Sequence, residues 1–377
     1  MGLAVAPVAV LAIRLVAFTL ALMSAPAVAD VRYAAVVPRA AQSLLIDIAA
    51  AGRRLVAVGE RGHVLYSDDN ALSWNQARVP TTAMLTAVFF IDTYRGWAVG
   101  HDGLILATPD RGETWIVQRN GRADQEALKR SAIEAARQRL VVLGPDADEA
   151  EREVAQFALD DAIARLDEPL FAPPLMDVWF GNADRGIAVG ASGTWLDTFD
   201  GGRNWQDGRL RIDNPDEDHL YAICAADEQR LMVVGEAGIL LRSQDAGASW
   251  QKLHSAHRRT LFGAVMIPGT VSVYAFGSQG SVLLSQDFGD HWSALRSRTK
   301  VLLAGGALDE AGELLLVGSA GTIVKVRGNQ MGMPFSVPRR ANLSAVIEAS
   351  DGTFVAVGQG GAQRLERAPG DEGLPRR

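Results

Sequence analysis

The chain has 377 residues, 48% of them hydrophobic and 21% charged, with 38 glycines and a formal net charge of −7. This globular balance excludes a low-complexity linker or a collagen-like rod, and the acidic excess argues against unspecific nucleic-acid binding, which needs a surplus of Lys and Arg. The single cysteine, Cys224, excludes an intramolecular disulfide and a thiolate-rich zinc site.

Residues 1–29 are almost wholly apolar, with Arg14 the only charge, an apolar run at Leu15–Met23 and an A-x-A site at Ala27-Val28-Ala29. This pattern predicts a secretory signal peptide cleaved before Asp30 and a periplasmic mature protein. The thirteen uncharged residues before Arg14 leave an alternative, an uncleaved N-terminal membrane anchor. No later apolar stretch is long enough to cross a bilayer.

Next comes a repeat. Gly-x-x-Gly, six times preceded by Val and once by Phe276, recurs at Gly59/Gly62, Gly100/Gly103, Gly190/Gly193, Gly235/Gly238, Gly277/Gly280, Gly318/Gly321 and Gly358/Gly361. The first glycines are 41, 90, 45, 42, 41 and 40 residues apart, so one interval is doubled. A period near forty means propeller blades or helical-pair solenoids, and the flanking apolar runs, such as Trp97-Ala98-Val99 and Leu104-Ile105-Leu106, are strand-length. The expectation is all-β: one seven-bladed propeller over residues 30–367, with a tail at 368–377.

A second element keeps step with the first. An Asp stands seven residues after the second Gly and a Trp five further on, at Asp69/Trp74, Asp110/Trp115, Asp200/Trp205, Asp245/Trp250 and Asp287/Trp292. The segments resemble the Asp-box of bacterial neuraminidase repeats. In such a turn the carboxylate accepts backbone N–H groups, Gly permits positive φ and Trp buries a large surface, so each Trp is expected in its blade's core. Ala71 replaces the usual Gly, Asn204 and His291 replace Ser/Thr, and the last two blades lack the box. The last blade has room for three strands, so residues 30–37 are expected to supply its fourth and close the ring.

The doubled interval holds a predicted helical hairpin within residues 121–174. Leu128, Ala132, Ala136 and Leu140 make one stripe, Ala155, Leu159, Ile163 and Leu166 the other, and the turn falls at Gly144-Pro145. Residues 122–168 carry 7 basic and 12 acidic side chains. The hairpin is either a solvated decoration or a docking arm.

Blade geometry puts the hairpin, the Gly-x-x-Gly turns and the connections between blades on one face, and the Asp-boxes on the other. The first face is the candidate partner-binding surface, because variable turns on a rigid scaffold collect binding residues. Its candidates are Glu60, Arg61, His101 and Asp102 in turns, and a basic arc of His257, Arg258, Arg259, Arg296, Arg298, Lys300, Arg339 and Arg340 in connections. The acidic hairpin and Asp213, Asp216, Glu217 and Asp218 stand opposite, so the face either orients a partner of mixed charge or is simply polar loop.

The repeat, as in Gly96–Trp115 and Leu231–Trp250, resembles the photosystem II stability/assembly factor family across nearly all of the mature chain except the insertion. The resemblance implies an exported seven-bladed propeller that binds immature membrane proteins without catalysis. Similar repeats occur in exported proteins of non-photosynthetic bacteria, so an assembly role is implied more directly than photosynthesis. The expected partner is a membrane protein or envelope complex, with no nucleic acid and no cofactor, and the propeller is expected to be monomeric by itself. The rival is a sialidase-like glycoside hydrolase, which needs an arginine cluster, a Tyr nucleophile and an acid/base carboxylate. Only Tyr33, Tyr66, Tyr94, Tyr221 and Tyr274 exist, and Arg211-Ile212-Asp213 is the nearest approach to the sialidase arginine motif, so no catalytic residue and no metal site are assigned. His254-x-x-His257 lacks the third ligand zinc requires.

Overall fold

The computed structural model describes residues 32–144 and 147–365. The expected signal peptide with its cleavage site, the Pro145-Asp146 pair and the 368–377 tail lie outside the described residues.

Seven antiparallel sheets follow one another along the chain, beginning with inner strands Leu45–Ala51, Leu85–Phe90, Leu175–Phe180, Leu220–Ala225, Leu261–Met266, Leu303–Leu308 and Leu343–Glu348. Five sheets have four strands, the sixth has five because its outer edge is split, and the seventh has three. The second strand of each of the first six blades is almost wholly buried, which is why it reads as an unbroken apolar run rather than an alternating one. Seven apolar clusters fill the seven gaps between adjacent blades. One of them joins Leu45, Leu55 and Leu65 of blade one to Val355 and Val357 of blade seven and closes the ring.

The Gly-x-x-Gly period has a steric cause. In every blade the residue after the first Gly donates its N–H to the carbonyl preceding the inner strand, at 2.8 to 3.0 Å. A Cβ on that Gly would fall 2.0 to 2.4 Å from the same oxygen, so only glycine permits the contact. The following residue and the second Gly adopt positive φ, as at Arg61 and Gly62.

Ring closure departs from expectation. Residues 32–37 form no strand, and blade seven has three strands among the described residues. Blade one captures the segment instead: Ala34 N–H donates to the Val79 carbonyl at 2.9 Å, Val37 N–H to Gln76 Oε1 at 3.1 Å, and Gln76 Nε2 to the Ala35 carbonyl at 2.8 Å. The Gln76 amide offers a donor and an acceptor that satisfy the backbone as a neighbouring strand would. A short turn at Ala40–Gln42 then packs on the third strand of blade seven, Gly361–Arg364.

The insertion is a hairpin of α1 (Gly121–Leu143) and α2 (Glu149–Ala164). Asn120 caps α1 by accepting from the N–H groups of Arg122 and Ala123. Its seam is not quite the predicted one. Ile133 and Ala155 are buried between the helices, whereas Leu128 is 70% exposed and Ile163 and Leu166 are also exposed. The returning segment turns α1: Gln125 pairs through both amide atoms with the backbone of Phe171, and Lys129 Nζ donates to the Glu168 carbonyl at 2.7 Å. These polar tethers draw in the row 125/129/133 in place of 128/132.

Candidate functional site

The Asp-box face is built for cohesion. Asp69 Oδ1 accepts Ser73 N–H at 2.9 Å and the Ser67 hydroxyl at 2.8 Å, while Oδ2 accepts the Ser73 hydroxyl at 2.6 Å. The same set recurs at Asp110, Asp200, Asp245 and Asp287. The departures in sequence keep the chemistry, since Asn204 Nδ2 and His291 Nδ1 reach the carboxylate at 2.7 Å where a hydroxyl stands elsewhere. These bonds favour the charged form and hold Asp69, Asp245 and Asp287 at about 2. The tryptophans differ from expectation, each packing in the gap to the preceding blade rather than in its own. Trp115 is buried against blade one, while Trp74, Trp205, Trp250 and Trp292 are half-buried in the corresponding gaps. Arginines cross the same gaps. Buried Arg54 of blade one bonds Asp68 at 2.7 Å and Glu113 of the next box at 2.9 Å. Arg211 bonds Asp197 at 2.7 Å and the Gly247 carbonyl, and Arg242 bonds Asp290 at 2.7 Å.

The opposite face carries the predicted partner residues in three different states. Some are structural: Glu60 Oε1 accepts Leu44 N–H at 3.2 Å, as Glu236 does for His219 N–H at 3.1 Å. Asp102 lies 3.9 Å from Arg122 and, with the Arg119 bond to the Gly103 carbonyl at 2.7 Å, seats the base of α1 on the blade-two turn. The hairpin therefore rises from the expected face. His257 is half-buried and burial lowers its pKa, with help from Arg259, so it adds no charge to the arc at neutral pH. Arg61 and His101 are exposed at turn tips.

The remaining basic residues form the arc proper. The His257 and Thr299 carbonyls press on Gly238 and Gly280, and Arg340 presses on Gly321, so the three basic connections lie against the turns of consecutive blades four, five and six. Arg258, Arg259, Arg296, Lys300, Arg339 and Arg340 are exposed and have no acidic partner within 4 Å among the described residues; Arg298 reaches only Met333 Sδ, at 2.9 Å. The acidic connection adjoins the arc: Asp213, Asp216 and Asp218 share a cavity of about 660 Å³ with Lys252, His254 and Arg258.

Sequence reasoning missed the central channel, a cavity of about 390 Å³ lined by the inner strands. Asp47 Oδ2 accepts Val88 N–H of the next blade at 2.9 Å; Asp177 accepts Ile223 N–H of the next blade at 2.8 Å and Val178 N–H at 2.7 Å. Burial pushes Asp47 up to about 6 and Asp177 up to about 7, the latter also through the Asp47 charge. The signal was available once the inner strands were aligned: at this position the other blades have Ala87, Ala222, Gly263, Gly305 and Ala345.

Three of the residues the sialidase alternative would draw on are engaged elsewhere. Arg211 is held by Asp197, the Tyr66 ring lies 4.2 Å under the Arg54 guanidinium, and the Tyr274 hydroxyl donates to the Gly328 carbonyl at 2.8 Å. Among the described residues no three His, Cys, Asp or Glu side chains converge as metal ligands would.

Residues 166–371 match the family described as photosynthesis system II assembly factor YCF48. The photosystem II assembly lipoprotein Ycf48 of Synechococcus sp. (strain CC9902) is 36% identical over 89 residues, 23% of this chain and 26% of that protein. The photosystem II assembly protein Ycf48 of Thermosynechococcus vestitus (strain NIES-2133 / IAM M-273 / BP-1) is 40% identical over 42 residues, 11% of this chain and 12% of that one. The chain thus spans about a quarter or less of these relatives' length in the matched segments. Among solved structures, Ycf48 bound to a D1 peptide superposes with a TM-score of 0.59 at 15% identity, covering 85% of this chain and 92% of that one. Ycf48 from Cyanidioschyzon merolae gives 0.58 at 14%, covering 88% and 97%. The WD40 propeller domain of Doa1 gives 0.58 at 10%, covering 89% and 95%, so these superpositions report fold alone.

Proposed function

This chain belongs to the photosystem II assembly factor Ycf48 family, and from that premise we propose that it is a non-catalytic, exported scaffold that holds a membrane protein or envelope complex during assembly. The observation that carries this reading is the exposed arginine set on blades four to six, with no carboxylate within 4 Å among the described residues, on the face from which the hairpin rises. Exposed guanidinium groups without intramolecular partners keep their donors for a carboxylate-bearing segment of another chain. That one relative is described as bound to a D1 peptide supports a peptide segment of a membrane protein as the ligand class. A relative's description as a lipoprotein supports export; in this chain cleavage before Asp30 would free the mature propeller in the periplasm, since no cysteine stands there to carry a lipid, and a retained N-terminal anchor is the alternative that keeps it at the membrane. Mass spectrometry of the envelope-fraction protein decides between them by its N-terminus.

The test is charge reversal of Arg258, Arg259, Arg296 and Arg298 to Glu, read by crosslinking and co-purification from solubilised envelopes. Capture of the partner should fall at least tenfold while thermal unfolding is unchanged, because exposed charges contribute little to stability. Wild-type capture should weaken as salt rises, since screening shortens to about 8 Å at 0.15 M. Crosslinks on the Asp-box face, or turnover of a sialoside by the purified protein, overturn the reading.

A further inference from the structure

In every blade the pairing of the inner strand with the second strand slips by one residue just after its first position, as between Leu45 and Asp47 or Leu220 and Ala222. Such a bulge breaks the alternation of a strand, and on all seven blades the extra residue and the one after it both line the central channel. The seven pairs differ in kind. Blades six and seven supply Ala304-Gly305 and Ser344-Ala345, which leave room, whereas blades one and three bring the carboxylates of Asp47 and Asp177 and blades four and five the rings of Tyr221 and Phe262. The two rings stand 4.9 Å apart between centroids, tilted by 57°. Because the inner strands start against the Gly-x-x-Gly turns, these rings lie at the mouth of the channel on that face, and the carboxylates stand one position further along their strands. All four side chains are only partly buried, so each reaches the cavity of about 390 Å³ that they border.

The chemistry of this wall selects positive charge. Among the described residues no Lys, Arg or His lines the cavity, so neither carboxylate meets a counter-charge there. The N–H groups of Val88, Val178 and Ile223 hold the two carboxylates in place without neutralising them. A carboxylate withdrawn from water in this way is relieved by a proton or by a cation. Ring faces attract cations too, and Tyr221 and Phe262, with Met176 and Ile46 on the same wall, also suit an aliphatic stem, which a hydrated metal ion lacks. A divalent ion such as Ca²⁺ calls for about six or more oxygen ligands, and among the described residues no three acidic or histidine side chains converge. We propose that the channel mouth is a binding site for one ammonium or guanidinium group on a short aliphatic stem, with the charge at the level of Asp47 and Asp177 and the stem against Tyr221 and Phe262. The site is separate from the arginine arc and does not rest on the partner-capture reading. Because Asp47 is raised to about 6 and Asp177 to about 7, uptake of a cation near neutral pH should expel protons. The other titratable groups beside them stay neutral through burial, Tyr221 with help from the Glu236 charge and Cys224 with help from the Asp177 charge.

Calorimetric titration of the full chain with n-butylamine, which has the stem and charge of a lysine side chain, and with n-butanol, its uncharged counterpart, tests this. At a pH between the two aspartate values the amine should bind at about millimolar strength, as suits so small a ligand, and at least tenfold more tightly than the alcohol. Its heat should vary with the ionisation enthalpy of the buffer, which reports the protons released. Asp47→Asn and Asp177→Asn each keep an oxygen for the backbone donors and should weaken the amine about tenfold, Phe262→Leu should weaken it about threefold, and Asp245→Asn on the box face should leave it unchanged. The peptide Gly-Gly-Lys-Gly-Gly distinguishes the source of the cation: binding as tight as that of the amine assigns the site to a lysine side chain of another protein, and binding of the amine alone assigns it to a free small amine. Equal binding of alcohol and amine, binding that survives both Asn substitutions, or displacement of the amine by an equal concentration of Ca²⁺ or Mg²⁺ overturns the proposal. So does the absence of binding by both n-butylamine and n-butylguanidine up to roughly 100 mM. Reversal of the arc arginines leaves the channel untouched, so this result and partner capture can fail separately.

Discussion

The two faces of the propeller use arginine in opposite ways. On the Asp-box face, Arg54, Arg211 and Arg242 cross from one blade to the next and end on carboxylates or carbonyls at the edges of boxes. On the other face, Arg258, Arg259, Arg296, Arg339 and Arg340 end in solvent. The difference teaches that a repeated turn rich in charge is no sign of function when its charges are satisfied within the chain. A binding surface is better marked by charges the fold leaves without partners.

That contrast can be broken in measurable steps. The largest effect is expected at Trp115, which is 4% exposed and fills the gap between blades one and two. Trp115→Ala should cost about 3 to 5 kcal/mol in denaturant unfolding, and the half-buried Trp250→Ala distinctly less. Equal losses at both would mean that the turn, rather than the gap between blades, is what tryptophan stabilises.

Arg54→Met should follow, at roughly 2 kcal/mol, because the buried stem is kept while Asp68 and Glu113, both half-exposed, lose their partner to water. Arg259→Met on the opposite face should change stability by less than about 0.5 kcal/mol. A comparable loss at Arg259 would show that the arc is structural after all.

The smallest effects lie in the pH profile, where two kinds of aspartate act in opposite directions. Box carboxylates held at about 2 contribute stability that is present above their ordinary value and lost as pH falls through 2. Asp177, raised to about 7, contributes stability that is complete below its ordinary value and lost as pH rises through 7. Thermal midpoints should therefore decline on both sides of a maximum near pH 4 to 5 as far as these groups decide it. Asp177→Asn should make the neutral arm shallower, leaving the part that Asp47 contributes, and Asp245→Asn should make the acid arm shallower, leaving the part due to the other boxes; a neutral arm unaltered in Asp177→Asn would remove that channel carboxylate from the account.

Much of the architecture was legible because its causes are local. The Gly-x-x-Gly period follows from a turn and one carbonyl approached too closely for a Cβ, and the Asp-box from a carboxylate bonding to donors within four residues of it. Both recur wherever the blade recurs, so they appear as a period. The candidate face was legible as composition, though not the state of each member: the turn residue Glu60 is held by Leu44 N–H, and His257 of the basic arc loses its charge to burial.

What only the tertiary structure decided involves partners distant in sequence. Residues 32–37 have the apolar character of an outer strand and could have closed blade seven, yet Gln76, some forty residues on, binds them to blade one. The side of α1 that faces α2 depended on Gln125 and Lys129 meeting the backbone of residues 168–171. Asp47 and Asp177 reach N–H groups 41 and 46 residues away across the channel wall. Sequence by itself determined the elements and their repeat, because backbone sterics and short-range hydrogen bonds act within a turn. The competition among several suitable partners for one segment is settled by which is brought within hydrogen-bonding distance when the ring closes, and that distance is a property of the whole fold.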